Sequence, residues 1–174
     1  RAEILNAVGW PFEKHVREVD ESFIDGEDAE KYVVRLAEEK ARAVSNEFPD
    51  KIILGADTTV VIGNEMLAKP IDLDDARRML RMLAGRDHEV LTGVAIIRNG
   101  KALTGIERTV VHFNEMTEGE IEVLVNKGSP LDKAGAYAVQ AQAALFIKGI
   151  KGDYWNVVGL PINLVYRMVL NGSL

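Results

Sequence analysis

The chain has 174 residues, of which 47% are hydrophobic and 28% are charged, and it contains no cysteine. The length is typical of one domain, and the lack of cysteine excludes disulfides, thiolate metal sites and thiol nucleophiles. A net charge of −6 disfavours nucleic-acid binding, and no apolar run is long enough for a membrane helix. We therefore expect a single cytoplasmic domain over residues 1–174 that binds neither nucleic acid nor membranes.

The hydrophobic pattern of the first fifty residues predicts two helices. The first helix contains Ile4 and ends at Gly9, and the second runs from Ala29 to Asn46. A short strand is expected over Phe12–Val19, followed by an acidic loop over Asp20–Glu30.

The next segment predicts two short strands and a helix. The β-branched runs Ile52–Leu54 and Val60–Ile62 are separated by Gly55–Thr59, which interrupts the strand pattern, and Gly63-Asn64 predicts a turn. Asp72 is expected to cap a helix that ends at Gly85.

The second half of the chain predicts a hairpin followed by three further elements. Two long β-like runs, Glu89–Arg98 and Lys101–Phe113, flank an Asn-Gly dipeptide, which is the strongest short hairpin signal. A helix over Thr117–Lys127, a strand over Ala144–Ile150 and a helix from Pro161 to about Leu170 complete the pattern. Alternating helices and strands with a hairpin indicate an α/β fold with a mixed sheet.

Asp57 is the first candidate for a functional residue because it lies between two apolar runs. A desolvated carboxylate must be protonated, paired with a cation or bound to a metal. The alternative is a structural aspartate that caps a turn at the end of a strand.

Two lysines could serve a site near Asp57. Lys69 precedes Pro70 and is therefore biased to an extended conformation. Lys40 lies on the same helical stripe as Leu36, so the base of its side chain faces inward, although such a lysine commonly extends to solvent.

Two further segments combine charged and polar residues. In Asp132–Gln140, small residues allow close backbone approach, Lys133 supplies a cation and Gln140 can donate and accept hydrogen bonds; a tight structural loop is the alternative. Asp20 and Glu21 are the first residues of the acidic loop and by default would be solvated. Carboxylates for Mg²⁺ together with lysines for phosphates suit a polyphosphate substrate.

Five motifs then point to one family. They are Leu54–Thr58, Leu67–Pro70, Leu80–Leu91, Asp132–Gln140 and Asn156–Pro161. With these motifs in family order over nearly its whole length, the chain resembles the Maf family of nucleoside triphosphate pyrophosphatases. The resemblance implies an architecture shared with the inosine-triphosphate pyrophosphatases, with a ligand cleft.

The resemblance also implies roles for the metal-binding and catalytic residues. The expected reaction is hydrolysis between the α- and β-phosphates of a nucleoside triphosphate, which releases a monophosphate and pyrophosphate. Asp57 corresponds to the catalytic acid or base and to a ligand of Mg²⁺, or of another divalent ion such as Mn²⁺. Glu21 corresponds to a second metal ligand, and Lys40 and Lys69 correspond to lysines that neutralise the triphosphate. Lys133 is expected to assist in binding the substrate.

Two residues match the positions that select the base. Thr58 after the aspartate, with Gln140 downstream, resembles the branch that acts on dTTP and UTP, and modified pyrimidine nucleotides are further candidate substrates. Two alternatives stay open, namely a pyrophosphatase of broader substrate range and a non-catalytic regulator of cell division that binds a nucleotide or a protein. A homodimer also stays open.

The start of the chain differs from the family pattern. The family opens with a strand and a Ser-x-Ser-Pro-Arg-Arg loop that binds phosphates, and Arg1 would be the last residue of that motif. We therefore expect Arg1 to bind substrate and the natural protein to carry about ten more N-terminal residues.

Overall fold

The computed structural model describes residues 1–171 of the chain, which form helices and strands in alternation. Six α-helices and five strands lie within this range, with three short 3₁₀ turns between residues 130 and 145. The helices are α1 (Ala2–Ala7), α2 (Ala29–Ser45), α3 (Leu73–Leu83), α4 (Glu118–Lys127), α5 (Tyr154–Val158) and α6 (Ile162–Asn171). The strands are β1 (Ile53–Ile62), β2 (Glu65–Leu67), β3 (Asp87–Arg98), β4 (Lys101–Phe113) and β5 (Ile147–Lys151).

The five strands form one sheet in the order β2-β1-β3-β4-β5. Strand β1 pairs antiparallel with β2, and β4 pairs antiparallel with β5. The predicted α/β class is confirmed. Within residues 1–171, no helix is both long and apolar enough to cross a bilayer.

The chain forms two compact units, and each is described by itself. The first unit comprises residues 1–58, 91–107 and 159–174, and the second comprises residues 59–90 and 108–158. The single domain expected from the sequence stays a prediction.

In the first unit, helix α2 packs directly on the sheet because two glycines leave room for its backbone. A Cβ atom on Gly55 of β1 would lie 2.2 Å from the carbonyl oxygen of Ala37, and one on Gly93 of β3 would lie 2.2 Å from that of Val33. Real Cβ contacts are essentially never closer than 3.0 Å. The chain therefore needs glycine at both positions to keep α2 at this distance from the sheet.

The Gly93→Ala variant tests this packing. We expect the free energy of unfolding to fall by about 1–3 kcal/mol, because the added methyl group has to displace the backbone of α2. Urea unfolding measures the effect. Gly119→Ala is the matched control, since a Cβ there meets only the Thr117 hydroxyl at 4.0 Å and alanine favours a helix. A Gly93→Ala variant as stable as the wild type would contradict this account.

In the second unit, helices α3 and α4 pack on each other beside the sheet. The cap predicted at Asp72 forms, and α4 is capped as well. The Asp72 carboxylate accepts a hydrogen bond from the Asp75 amide, and Thr117 and Glu120 make a capping box. Buried aliphatic and aromatic residues from both helices and from β1, β2, β3 and β4 fill the core; these include Leu67, Leu80, Leu83, Val111, Phe113, Ile121 and Leu124.

The strand predicted over Phe12–Val19 is wrong, because this segment has no regular secondary structure. Its apolar residues do not reach a core, as the 70% exposure of Val16 shows. The Arg17 guanidinium instead makes two hydrogen bonds to the Glu47 carboxylate, at 2.8 and 2.6 Å.

Two strand boundaries also differ from the expectation. The break predicted at Gly55–Thr59 is absent, since β1 runs without interruption from Ile53 to Ile62. Gly55 is part of this strand because α2 lies so close to it that no side chain would fit between them. The strand predicted from Ala144 begins only at Ile147, because the four residues before Phe146 form a 3₁₀ turn. The predicted bounds of α2, α3, α4 and α6 and of the β3–β4 hairpin are confirmed to within about two residues.

Candidate active site

In the first unit, Lys40 lies between two carboxylates. Its ammonium nitrogen is 2.5 Å from Asp57 Oδ1 and 2.6 Å from Glu21 Oε1. The side chains of Asp57 and Lys40 are only 12% and 22% exposed, whereas that of Glu21 is 43% exposed. Lys40 thus extends to the carboxylates rather than to solvent, and Asp57 is an ion-paired residue within a strand rather than the cap of a turn.

The close packing of α2 on β1 brings these side chains together. Gly55 and Asp57 are two residues apart on β1, so their side-chain positions share one face of the strand. Gly55 contacts α2 at Ala37 and Ala41, and Lys40 lies one helical turn after Ala37, on the same side of the helix. The face of β1 that meets α2 therefore presents the Asp57 carboxylate to Lys40.

The loop that carries Glu21 is attached to α2 by two side chains. The Tyr32 hydroxyl donates a hydrogen bond of 3.0 Å to the carbonyl oxygen of Glu21. The Arg35 guanidinium makes two hydrogen bonds of 2.8 Å to the Glu27 carboxylate and a third, of 3.0 Å, to the carbonyl oxygen of Ser22. These bonds hold the loop so that the Glu21 carboxylate reaches Lys40.

Tyr32 and Arg35 were not predicted from the sequence as residues of the site. Burial raises the pKa of Tyr32 to about 12, and the negative charges of Asp57 and Glu21 add to the shift. The hydroxyl therefore stays protonated at neutral pH and remains a donor. The signal in the sequence is the spacing of Tyr32 and Arg35, three residues apart on a helix that directly follows an acidic loop.

Thr58 and Arg1 lie near this cluster without joining the Lys40 ion pairs. Side chains alternate along a strand, so Thr58 faces away from Asp57, and its hydroxyl is 2.9 Å from that of Thr92 on β3. Arg1 Nε donates a hydrogen bond of 3.0 Å to the carbonyl oxygen of Gly159. The Arg1 guanidinium is also close enough to Asp57 for their charges to interact.

The carboxylates of the first unit fit the expected divalent ion. Within residues 1–171, no group of three or more acidic, histidine or cysteine side chains could hold a metal by itself. Mg²⁺ is commonly bound by one or two carboxylates together with substrate phosphates and water. Glu21 and Asp57, which share one cation, offer two hard oxygen donors for such a site.

In the second unit, the predicted lysines lie around Asp132. Lys133 Nζ is 2.6 Å from Asp132 Oδ1, and this hydrogen bond lowers the pKa of Asp132, with a smaller contribution from the charge of Lys69. The Gly135 amide donates a hydrogen bond of 3.2 Å to the carbonyl oxygen of Ala68. This bond connects the segment that carries Lys133 to the segment that carries Lys69. Gln140 lies at the end of the same segment and is exposed.

A buried histidine orients the Asp132–Gln140 segment. His88 on β3 is 2% exposed, and its Nε2 atom is 2.8 Å from the hydroxyl of Tyr137. The two rings also pack edge to face, with Phe113 against both. This contact was not predicted from the sequence. Residue spacing carries no signal for it, because His88 and Tyr137 are 49 positions apart.

The burial of His88 predicts a loss of stability in acid. Burial lowers its pKa from 6.5 to about 4, so the unfolded chain binds the proton more readily than the folded one between these values. The free energy of unfolding should therefore decrease by about 3 kcal/mol as the pH falls from 6.5 to 4. Urea unfolding at several pH values measures this, with His88→Gln as the comparison. The wild type should lose more stability than the variant, and identical pH profiles would contradict the prediction.

Comparisons with known proteins show which family the chain belongs to. The family model described as "Maf-like protein" matches residues 1–171. A protein of Symbiobacterium thermophilum named dTTP/UTP pyrophosphatase is 48% identical over 97% of this chain and 87% of its own length. Proteins of the same name from Bacillus cereus and Anaeromyxobacter dehalogenans are 46% and 47% identical, over 96% and 93% of this chain and 87% and 84% of their own lengths. The chain therefore belongs to the Maf family.

Proposed function

We propose that the protein is a nucleoside triphosphate pyrophosphatase that hydrolyses dTTP and UTP to the monophosphate and pyrophosphate. The observation that carries this proposal is the Lys40 ammonium bound between the Asp57 and Glu21 carboxylates, since the resemblance assigns all three residues to the site. The relatives named dTTP/UTP pyrophosphatase support the choice of substrate, because they align over nearly the whole chain.

Hydrolysis requires a general base for the attacking water and positive charge that neutralises the phosphates. Asp57, which is largely buried and paired with Lys40, would accept the proton of the attacking water. The positive charge that neutralises the triphosphate and the departing pyrophosphate is assigned to Lys40, Lys69, Lys133 and Arg1.

Glu21 and Asp57 would hold Mg²⁺ or Mn²⁺ together with the substrate phosphates. The bound metal ion would neutralise charge on the phosphate oxygens. Its two proposed ligands come from different parts of the chain, the loop before α2 and strand β1, so the site requires the folded first unit.

Base selection is assigned to Thr58 and Gln140. The Gln140 amide can donate one hydrogen bond and accept another, which suits the edge of a thymine or uracil base. The exposure of this side chain leaves it accessible to a ligand. Thr58 is held by its hydrogen bond with Thr92, so its orientation is set before substrate binds.

Pyrophosphate release from each of the eight common ribo- and deoxyribonucleoside triphosphates tests the proposal. The assay contains Mg²⁺, and modified pyrimidine triphosphates form a second panel. We expect the highest kcat/KM with dTTP and UTP, with monophosphate and pyrophosphate formed in equal amounts. Similar values for all eight would instead favour a broad pyrophosphatase, and no release at all would favour a non-catalytic regulator. A cytoplasmic location is part of the proposal, because nucleoside triphosphates are cytoplasmic metabolites.

A further inference from the structure

The two carboxylates assigned to the metal ion share one cation, the Lys40 ammonium group. Lys40 Nζ is within hydrogen-bond distance of one oxygen of Asp57 and one oxygen of Glu21. A divalent ion bound to the same two oxygens would occupy the space that the ammonium group fills. The ammonium and the metal ion carry charge of the same sign, and two of the three side chains are mostly shielded from water, so the repulsion between the cations is only partly screened.

The surrounding contacts keep Lys40 in this place. The close contact of Gly55 with α2 sets the position of Lys40 above β1, and Tyr32 and Arg35 hold the loop that carries Glu21. The other cation near the cluster, Arg1, has its Nε bound to the carbonyl oxygen of Gly159. The carboxylates are therefore oriented toward Lys40 by structure that is independent of a metal ion.

We propose that Lys40 is the counter-ion of the free metal site and has to leave the carboxylates before a divalent ion can bind. A triphosphate offers the ammonium group another anionic partner, so nucleotide binding releases Glu21 and Asp57 for the metal ion. Metal and nucleotide then bind cooperatively, and by linkage each raises the affinity of the protein for the other. This inference rests on the proposed function, because it takes the substrate to be a triphosphate bound with a metal ion.

Direct titration with Mn²⁺ in the absence of nucleotide tests the proposal on the full chain. Electron paramagnetic resonance measures the free ion and therefore gives Kd without any turnover. We expect Lys40→Met to bind Mn²⁺ at least ~10-fold more tightly than the wild type, because the competing cation is gone. Lys40→Arg keeps the charge and should stay close to the wild type.

Two further variants make this result specific. Lys31→Met is the matched control, because Lys31 is an exposed lysine on α2 that pairs with Asp28, away from the cluster. Its Kd for Mn²⁺ should equal that of the wild type. Adding Glu21→Gln to Lys40→Met should abolish the gain in affinity. Thermal unfolding checks that every variant is folded.

The coupling itself is measured by calorimetry with a non-hydrolysable α,β-imido analogue of UTP. Each protein is titrated with the analogue with and without Mg²⁺, which gives the factor by which Mg²⁺ increases the affinity. This factor should be at least ~10-fold larger for the wild type than for Lys40→Met. Because Mg²⁺ binds the free analogue equally in both titrations, the ratio between the two proteins isolates the effect of Lys40.

The possible results separate this inference from the proposed function. A folded Lys40→Met variant that binds Mn²⁺ no more tightly than the wild type would overturn the role of Lys40, whatever the enzyme hydrolyses. A wild type that releases no pyrophosphate would overturn the proposed function, whereas the Mn²⁺ titrations would still report on the counter-ion.

Discussion

Replacing Asp57 by asparagine should lower kcat/KM for dTTP and UTP by at least ~10²-fold while the protein stays folded. The change removes both a proton acceptor and an anionic metal ligand, and the loss of a general base alone has about this effect. Asparagine has nearly the same size as aspartate, and Lys40 keeps Glu21 as a partner, so no buried cation is left alone. Initial-rate measurements with dTTP and Mg²⁺ quantify the loss.

Asp50→Asn is the control for this experiment, because Asp50 is exposed and follows α2 outside the Lys40 cluster. Its kcat/KM should equal that of the wild type. Circular dichroism and thermal unfolding establish that Asp57→Asn is folded. A folded Asp57→Asn variant with near-normal activity would remove Asp57 from the mechanism, even if Glu21 and Lys40 proved essential.

Replacing Gln140 by glutamate should lower kcat/KM for dTTP and UTP by about 10²-fold and change the ranking of the bases. A carboxylate accepts hydrogen bonds but cannot donate one, so it repels the carbonyl oxygen that the amide would bind. A site that hydrogen-bonds its ligand discriminates strongly against a mismatch, because the groups left unpaired lose their hydration. Measurement of kcat/KM over all eight triphosphates checks the result.

Gln142→Glu makes the same chemical change two residues later and is the matched control. Its ranking of the eight substrates should equal that of the wild type. Gln140 is exposed in the free protein, so its substitution should leave the stability of the fold within about 0.5 kcal/mol. Unchanged ratios between pyrimidine and purine triphosphates in Gln140→Glu would show that other residues select the base.

Elements with a strong local signal were predicted correctly from the sequence. The β3–β4 hairpin has an Asn-Gly turn between two β-like runs, and helix α4 has a capping box and a final glycine. The apolar stripe of α2 has the helical period over four turns. Each of these signals arises from residues a few positions apart, so a linear pattern contains it.

Elements that depend on distant partners were predicted less well. Phe12–Val19 has the composition of a short strand, yet no neighbouring strand pairs with it. The Gly55–Thr59 stretch resembles a break, but β1 continues through it because helix α2 needs the space beside Gly55. The first segment lacks a strand to pair with, and the second is packed against α2. In both cases the tertiary environment outweighs the local secondary-structure preference.

The candidate residues show the same division. The sequence by itself determined the α/β class and the family motifs. It also identified Asp57, Lys40 and Glu21 as candidate site residues, because these predictions follow from local pattern and from resemblance. Only the tertiary structure decided that one lysine pairs with both carboxylates and that His88 bonds to Tyr137. The physical reason is that these contacts join residues far apart in the chain, and their geometry depends on how closely helix and sheet pack.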